Sequence, residues 1–296
     1  MQTSSSGLQY FGWTTDKGLS WKSALQEVRD DLDRAVETVS AQSGANERDL
    51  RHKLLLHLPR FPYQELRDPR VILNEAWRLA ARMDSLHNGF QHWLSRPPAE
   101  GIDGSRLSLK PCPPAVAQAI HERFHYIGHF HDGIAHLGLY SLGMENVPVA
   151  LASLSSFDIL YLDPLFPSLE EKEKVLQISR IYAFQWAPRN IISFLLGRVS
   201  RWVKQNLPRI SIFLTYVNPN IGFSGSSYRA SNWDFFLQKE PVYSYLNGDY
   251  VPYRALHTLP LAVRHYLTHS HYQMEPLKLL KYDLTARSTR AGTGAS

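Results

Sequence analysis

The chain has 296 residues, and its 44% of apolar and 12% of aromatic residues can fill the core of one large domain or two ordinary ones. Its formal charge of +5 and its isoelectric point near 9.2 are compatible with a polyanionic partner such as nucleic acid or CoA. The single cysteine, Cys112, excludes an internal disulfide and a thiolate-rich zinc site, and it therefore predicts a reducing, cytoplasmic setting. No stretch approaches eighteen consecutive apolar residues, so we expect no membrane span.

The first predicted elements are helices. Apolar residues recur at every third or fourth position in three stretches, residues 20–44, 47–58 and 69–94. Ser20 can cap the first stretch and Gly44 can end it. We therefore predict a helical N-terminal region over residues 1–98, followed by a linker over residues 99–112 that contains Gly, Pro and Ser.

From residue 113 the pattern changes to one helix and then a series of short apolar runs. The runs predicted as strands cover residues 135–142, 147–153, 175–184, 210–217 and 279–284. A helical pattern over residues 190–206 separates two of these strands, and a strand–helix–strand order predicts a parallel pair. We expect an α+β fold with a mixed sheet in a domain of residues 113–285, and a disordered tail over residues 286–296.

The turn before the helix of residues 190–206 has the features of an anion site. Pro188 and Asn190 place free backbone N–H groups and the positive end of the helix dipole after a strand, and Arg189 adds charge. An ordinary capped amphipathic helix with a solvated basic face is the simpler alternative.

The next strand leads into a segment rich in glycine, serine and aromatic residues. Because consecutive parallel strands deliver their loops to one edge of a sheet, we expect this segment to adjoin the anion site. A helix beginning after Gly225 would place Tyr228, Ser231 and Asn232 on one face. Tyr228 could then serve as a general acid, the alternative being that it packs on the sheet with Trp233.

Five short motifs along the second half of the chain carry a resemblance to a known family. They are, in chain order, His125-Tyr126-x-Gly128, Ser179-Arg180-Ile181, Pro188-Arg189-Asn190-x-x-Ser193, Thr215-Tyr216-Val217-Asn218 and Gly225-x-x-Tyr228-x-Ala230-Ser231-Asn232-Trp233. The ordered set resembles the phage Mom-like DNA-modification proteins over residues 120–285. It is similar, more loosely, to the Druantia-type anti-phage defence proteins.

The Mom-like resemblance implies a divergent GNAT acyltransferase fold, with a GNAT-like mixed central sheet, and a family activity on adenine in DNA. It implies that Arg180, Ser193 and Tyr228 belong to the active centre, with Asn190 at the helix start. We further expect Arg180, Arg189 and Asn190 to bind the donor, and His125 to act as a base. The residues expected to bind the substrate are Tyr216, Asn218, Ser231 and Asn232.

Two departures from the family pattern bear on the reaction. Asn218 stands where the family typically has an aspartate, and a neutral amide cannot serve as a base. The usual Gly-x-Gly for the cofactor pyrophosphate is replaced by Gln185-Trp-Ala-Pro-Arg-Asn, which weakens the case for acetyl-CoA. The donor is therefore either an acyl-CoA or an aminoacyl-tRNA.

Three hypotheses for the function follow. The first is transfer of an acyl or related group to a nitrogen nucleophile, which by resemblance is a nucleic-acid base. The second is tRNA-dependent aminoacyl or acyl transfer to a small-molecule amine, and the third is a non-catalytic nucleic-acid-binding component of a defence system. All three include DNA or tRNA as a partner.

A run of histidines raises metal binding as a further alternative. His121 and His125 lie four residues apart, and His129, His131 and His136 follow. No cluster of Asp and Glu completes a ligand set, and the family pattern already accounts for His125. We expect no metal.

Overall fold

The computed structural model describes residues 18–85, 102, 106–143, 146–157, 165–166 and 168–285. The predicted tail and six residues of the predicted linker, 99–101 and 103–105, lie outside the described residues.

The N-terminal region is a layer of helices. They are α1 (Trp21–Glu27), α2 (Arg29–Ser43), α3 (Glu47–His57), α4 (Tyr63–Leu66) and α5 (Pro69–Ser85), with a 3-10 turn at Leu58–Arg60. Ser20 caps α1 by accepting a hydrogen bond from the backbone N–H of Ser23 over 3.1 Å, and Gly44 ends α2 with a φ of 72°. The first predicted helix is thus confirmed, except that it is interrupted at Val28.

The central sheet has seven strands in the order β1-β2-β3-β4-β5-β10-β6. Their bounds are β1 (Ser108–Pro111), β2 (Ala135–Tyr140), β3 (Ala150–Ser156), β4 (Val175–Ala183), β5 (Ile212–Val217), β6 (Asp234–Lys239) and β10 (Leu277–Asp283). Among these described strands β4 and β5 are parallel, as predicted, and the other neighbours are antiparallel.

A second, three-stranded sheet and several short helices complete the described part of the chain. The sheet contains β7 (Ser244–Leu246), β8 (Asp249–Val251) and β9 (Thr268–His269) in the order β8-β7-β9. The helices are α6 (Pro114–Arg123), α7 (Leu169–Glu173), α8 (Ile191–Asn206), α9 (Ser226–Arg229), α10 (Tyr253–Leu256) and α11 (Leu261–Arg264), with a 3-10 turn at Pro219–Ile221.

The sequence pattern was wrong about the end of the linker and missed the smaller strands. Residues 108–111, predicted as linker, pair with β2, where Pro111 lies opposite Leu137 at the edge of the sheet. A strand of four residues containing a proline carries too little periodicity to be recognised, and its partner alone defines it. The strands β7, β8 and β9 were also missed because they have three residues or fewer. The six-residue strand β6 was missed too, since Phe235 and Phe236 are consecutive and break the apolar alternation of a strand.

Helices cover both faces of the central sheet. Leu195, Val199 and Val203 of α8 pack with the strand residues Leu137 and Phe213 on one face. On the other face Ala117 and Ile120 of α6 pack with Leu151 of β3. The predicted α+β fold class, with a mixed central sheet flanked by helices, is confirmed.

The N-terminal helical layer shares a core with the small sheet. Leu50 and Leu54 of α3 lie in one cluster with Tyr245 of β7 and with Tyr272, and all four are almost completely buried. The indole of Trp21 adds a hydrogen bond, donated to the carbonyl of Asn220 over 3.1 Å. The helical layer is thus part of one packed body with the residues that follow it. No helix within the described ranges is long and apolar enough to cross a membrane.

Replacing Leu54 by alanine should lower the free energy of unfolding by about 2–5 kcal/mol, because the side chain is fully buried in the shared core. Urea denaturation measures this loss, and hydrogen exchange should show weaker protection in both the helical layer and the small sheet. Leu142→Ala, at a leucine that is 74% exposed, is the control and should change the stability by less than about 0.5 kcal/mol. Loss of protection in the helices alone would contradict a common core.

Candidate functional site

The parallel strands β4 and β5 separate after a short region of pairing. Backbone pairing ends with Gln177 opposite Leu214. At the next position the hydroxyl of Thr215, instead of a backbone group, donates to the carbonyl of Ile178 over 3.0 Å. These two strands form no further pair beyond this bridge, and we call the opening the β4–β5 split.

Two cavities adjoin the split. The loop cavity, of about 360 Å³, lies against the turn of residues 222–228. The aromatic cavity, of about 490 Å³, is lined by five tyrosines and a phenylalanine. The cavities share five lining residues, which are Tyr126, Ile178, Ser179, Arg180 and Tyr216. Of the predicted site residues, Arg180 and Tyr216 therefore lie at the junction.

The positive charge of the Arg180 guanidinium is stabilised by few protein groups. One nitrogen donates to the carbonyl of the adjacent Ser179 over 2.7 Å, while the buried Nε has no hydrogen-bond partner among the described residues. Burial lowers the pKa of Arg180 from its ordinary value, and the nearby Tyr126 opposes this effect. A buried positive charge without a described carboxylate partner favours an anionic or strongly polarised ligand atom at the junction.

Tyr228 lies in the loop cavity with its ring almost fully buried. Its hydroxyl is 3.5 Å from Oγ1 of Thr215, which already donates its own proton to Ile178. At that distance the hydrogen bond is weak, so the phenol can turn towards a ligand. Burial raises the pKa of Tyr228 to about 12, and the group therefore keeps its proton near neutral pH.

His125 also lines the loop cavity, and its protonation state follows from its surroundings. Burial, with a smaller contribution from Arg180, lowers the pKa of His125 well below its ordinary value, so the ring is neutral near pH 7. Its Nδ1 accepts the backbone N–H of Ile127 over 3.3 Å. The proton must then be on Nε2, which makes this nitrogen a hydrogen-bond donor in the described geometry rather than the base that the sequence led us to expect.

The N-terminal helix α3 forms a wall of the loop cavity, which the sequence did not reveal. Arg48, Asp49 and His52 line the cavity. The carboxylate of Asp49 accepts a hydrogen bond from the hydroxyl of Tyr182 on β4 over 2.6 Å, and Arg48 donates both to Asp49 and to the carbonyl of Ala183. These contacts join α3 to the end of β4. The sequence did contain one signal for this contact. Asp49 lies beside the apolar stripe of α3, where a charged side chain needs a partner.

Lys53, one turn further along α3, holds the turn that carries His125. Its ammonium group is buried and donates to the carbonyl of His125 over 3.0 Å. Burial lowers the pKa of Lys53 to about 8, although the nearby Asp49 raises it. The helical layer thus positions a residue of the motif His125-Tyr126-x-Gly128 from outside the region of family resemblance.

The aromatic cavity combines flat ring surfaces with basic side chains. Tyr216 and Tyr253 approach the ammonium group of Lys239, which is 6.0 Å and 5.0 Å from their ring centroids. Arg254 donates to the hydroxyl of Ser155 over 3.2 Å and also contacts the side chain of Gln177, the last paired residue before the split. Such a lining suits a flat, polar, anion-bearing ligand.

Three predicted residues at the start of α8 are not among those lining the two cavities. Arg189 and Asn190 are exposed, and Asn190 precedes the helix with a φ of 64° but makes no side-chain capping bond. The hydroxyl of Ser193 donates to the carbonyl of Ser227 over 3.2 Å, which ties α8 to α9. The α8 start approaches the loop cavity through Ile192, so a role for it in donor binding stays a prediction.

The predicted common face of Tyr228, Ser231 and Asn232 does not form. Helix α9 ends at Arg229, because Asn232 adopts a left-handed conformation with a φ of 60°. The hydroxyl of Ser231 donates to the carbonyl of Ser227 over 2.9 Å, and Asn232 is exposed. Neither residue lines the two cavities, and their role as substrate contacts stays a prediction.

Asn218 lines the aromatic cavity, but its polar atoms are already engaged. Its amide donates to the hydroxyl of Tyr243 over 2.6 Å, and its oxygen accepts the backbone N–H of Asn220 over 3.1 Å. An amide can make both contacts at once, since it is both donor and acceptor. The residue that replaces the family aspartate therefore fixes the loop after β5.

The histidine run is mostly internal. The hydroxyl of Ser153 lies between two rings, 3.1 Å from Nε2 of His121 and 2.8 Å from Nδ1 of His136. Burial lowers the pKa of His121 to about 3, and also lowers that of His136. Within the described ranges, no group of three or more His, Cys, Asp or Glu side chains is placed to hold a metal ion.

Lys53→Met tests the buried ammonium group. A folded-state pKa near 8 instead of 10.5 means that, above pH 8, the unfolded chain binds more protons than the folded one, so the wild type gains stability as the pH rises. Relative to the variant, this gain should reach about 1.5 kcal/mol between pH 8 and pH 9.5 in urea denaturation. Lys22→Met, at an exposed lysine, controls for the loss of a surface charge. A constant difference between wild type and Lys53→Met would refute the prediction.

The tautomer of His125 can be observed directly. In nitrogen-15 NMR of the imidazole rings, His125 should remain neutral at pH 5.5 and carry its proton on Nε2, because burial opposes the charged form and Nδ1 accepts a backbone hydrogen bond. His125→Gln identifies the resonance. A ring that titrates near pH 6.5, or one protonated on Nδ1, would contradict this geometry.

Comparison with known proteins places the chain in a family. Solved structures that are similar to it include a Salmonella typhimurium protein assigned as an acetyltransferase and bound to acetyl-CoA, at 11% identity over 64% of this chain and 99% of that one, with a TM-score of 0.39. An N-acetyltransferase from Staphylococcus aureus Mu50 is similar at 12% identity over 61% and 99%, with a TM-score of 0.36. The spermidine N-acetyltransferase of Vibrio cholerae with CoA and spermine matches at 6% identity over 62% and 98%, with a TM-score of 0.38.

No curated protein matches the chain. The looser similarity to Druantia-type proteins stays a prediction. The model of the Mom protein family matches residues 106–283, which is more than half of the chain and includes all five sequence motifs. The chain therefore belongs to the Mom protein family.

Proposed function

We propose that the protein transfers an acyl group from a carrier molecule to a nitrogen of a nucleic-acid base. The observation that carries this proposal is the meeting of two cavities at the β4–β5 split, with the guanidinium of Arg180 at their junction. A transfer between two bound partners needs two compartments that share one reacting point. The Mom-like resemblance, which implies modification of adenine in DNA, supports a base as the acceptor.

The aromatic cavity suits the acceptor. A base leaves its stack to reach an enzyme pocket and is then held by aromatic rings and by polar groups at its edge. Tyr126, Tyr216 and Tyr250 supply rings in this cavity, and Lys239 and Arg254 supply positive charge for the phosphate groups that accompany a base. Its volume of about 490 Å³ leaves room for a nucleotide.

The loop cavity suits the acyl end of the donor. In this arrangement the acyl carbonyl lies at the junction, and Arg180 stabilises the negative charge that develops on its oxygen. This role differs from the sequence prediction, in which Arg180 bound the charged part of the donor. The new role follows from the position of Arg180 between the cavities and from the lack of a carboxylate partner among the described residues.

Tyr228 would donate its proton towards the leaving group. As the bond between nitrogen and the acyl carbon forms, the bond from that carbon to the sulfur or oxygen of the carrier breaks. The acceptor nitrogen loses one proton and the leaving atom gains one, so the transfer needs no further reactant. Since burial raises the pKa of Tyr228 to about 12, its hydroxyl remains a donor throughout the neutral range.

The donor and the acceptor class are tested together. Purified protein is incubated with DNA or tRNA and with either labelled acyl-CoA or labelled aminoacyl-tRNA, and nucleosides are analysed by mass spectrometry. We expect an acylated base from the wild type and none from Arg180→Met, with Arg201→Met on the exposed face of α8 as the matched control. Salt-dependent binding of DNA without any change in nucleoside mass, for every donor, would replace this proposal by a non-catalytic role.

Tyr228→Phe should reduce single-turnover transfer about a hundredfold, because it removes the donor hydroxyl and keeps the ring. The wild type should show no loss of rate between pH 7 and pH 9 from this group, since its pKa is about 12. Tyr282→Phe is the control, because Tyr282 stacks on the same Trp233 but is not among the cavity residues. A loss of less than about tenfold in Tyr228→Phe would remove the proposed role.

A further inference from the structure

A connecting segment, residues 252–267, joins β8 to β9 beside the aromatic cavity. It contains the short helices α10 and α11, and none of its residues is buried. It begins at the cavity itself, since Pro252, Tyr253 and Arg254 are lining residues. The segment is thus a surface projection whose base forms part of the proposed acceptor site.

The ionisable side chains in and around the connecting segment include basic groups but no carboxylate. Between Asp249 and Glu275 the chain contains no acidic residue. Within the connecting segment there are two arginines and two histidines. Arg264 donates to the carbonyls of Leu259 and His257, each over 3.0 Å, so its charge is held in place by neutral groups. Such a surface attracts a polyanion.

Two large apolar side chains project from the same segment. Leu261 and Tyr266 are each 74% exposed and lie five residues apart in a stretch that carries basic side chains. Leu261 begins α11 and Tyr266 follows it, with the backbone N–H of Tyr266 bonded to the carbonyl of Val263 over 3.1 Å. The backbone here is ordered by hydrogen bonds, while these two side chains have no apolar neighbour that buries them.

The segment is anchored to the split. Arg254 contacts Ser155 of β3 and Gln177 of β4, the last residue paired with β5. The ring of Tyr253 is 4.7 Å from the ring of His257 and lies next to Lys239. These contacts fix the base of the segment at the aromatic cavity, from which the residues that carry Leu261 and Tyr266 continue.

From these observations we propose that the connecting segment docks on duplex nucleic acid, with Leu261 and Tyr266 entering the base stack where the acceptor base leaves it. The inference rests on the proposed function. Apolar side chains that enter a base step support an opened duplex, and nearby cationic groups hold its phosphates. Unstacking costs a few kcal/mol for each step, and a wedge that fills the gap offsets part of it.

An anionic membrane would also attract a basic surface with exposed apolar groups. Continuity with a cavity lined by five tyrosines favours nucleic acid, because a membrane has no flat group for that cavity to receive. Vesicles of anionic lipid therefore serve as an alternative ligand in the test.

The test uses the full chain and the double variant Leu261→Ser, Tyr266→Ser, whose changes lie on the surface and leave the cavity residues intact. The matched control is Leu142→Ser, Leu169→Ser, at leucines that are 74% and 65% exposed in other parts of the chain. The ligands are a DNA duplex with 2-aminopurine beside the acceptor adenine, the same strand alone, and anionic vesicles.

We expect the wild type and the control to raise 2-aminopurine fluorescence in the duplex, and the double variant to lose about tenfold in duplex affinity and transfer while retaining transfer to the single strand. Equal behaviour of double variant and wild type on the duplex overturns the proposal. So does a loss of vesicle binding with duplex binding unchanged. If the wild type modifies neither form of DNA, the proposed function fails, yet the fluorescence and affinity still decide whether the segment docks on duplex.

Discussion

The hydrogen bond from Thr215 to the carbonyl of Ile178 marks the point on which the site depends. A parallel pair normally continues its backbone ladder, and here a side chain replaces it after Gln177 and Leu214. Beyond that point β4 and β5 no longer pair with each other, while each stays paired with its other neighbour in the sheet. The opening is wide enough for two cavities to meet, and it directs Arg180 into both of them.

The surroundings of the split explain the unusual ionisation of its residues. His125 and Tyr228 are buried and Arg180 is half-buried, and the pKa of each is shifted towards the neutral form. Burial is the largest cause for each of them, and it would be removed if the site filled with solvent. The cavities therefore bring together the hydroxyl of Tyr228, the neutral ring of His125 and the guanidinium of Arg180, whose charge has no carboxylate partner among the described residues.

The helical N-terminal layer is part of this arrangement, although it lies outside the matched family region. On helix α3, Asp49 accepts a hydrogen bond from Tyr182 of β4, and Lys53 donates one to the carbonyl of His125. The helix therefore fixes both β4 and the turn that carries His125. The cluster that includes Leu50 and Tyr245 then joins the same helix to the small sheet. The connecting segment joins β8 and β9 of the same sheet, so the helical layer and the connecting segment are both attached to it.

The amino-acid sequence by itself determined the long helices, the central strands, the parallel crossover and the motifs that carry family membership, because periodicity and residue order are local properties of the chain. It also identified Arg180, Tyr216, Tyr228 and His125, which line the cavities. It could not separate them from Ser231 and Asn232, since helix α9 ends one residue after Tyr228, or from Ser193, whose hydroxyl bonds the carbonyl of Ser227 instead. Only the tertiary structure decided that α3 closes the loop cavity and that short strands support the aromatic cavity, because those contacts join residues more than a hundred positions apart and leave no periodic trace.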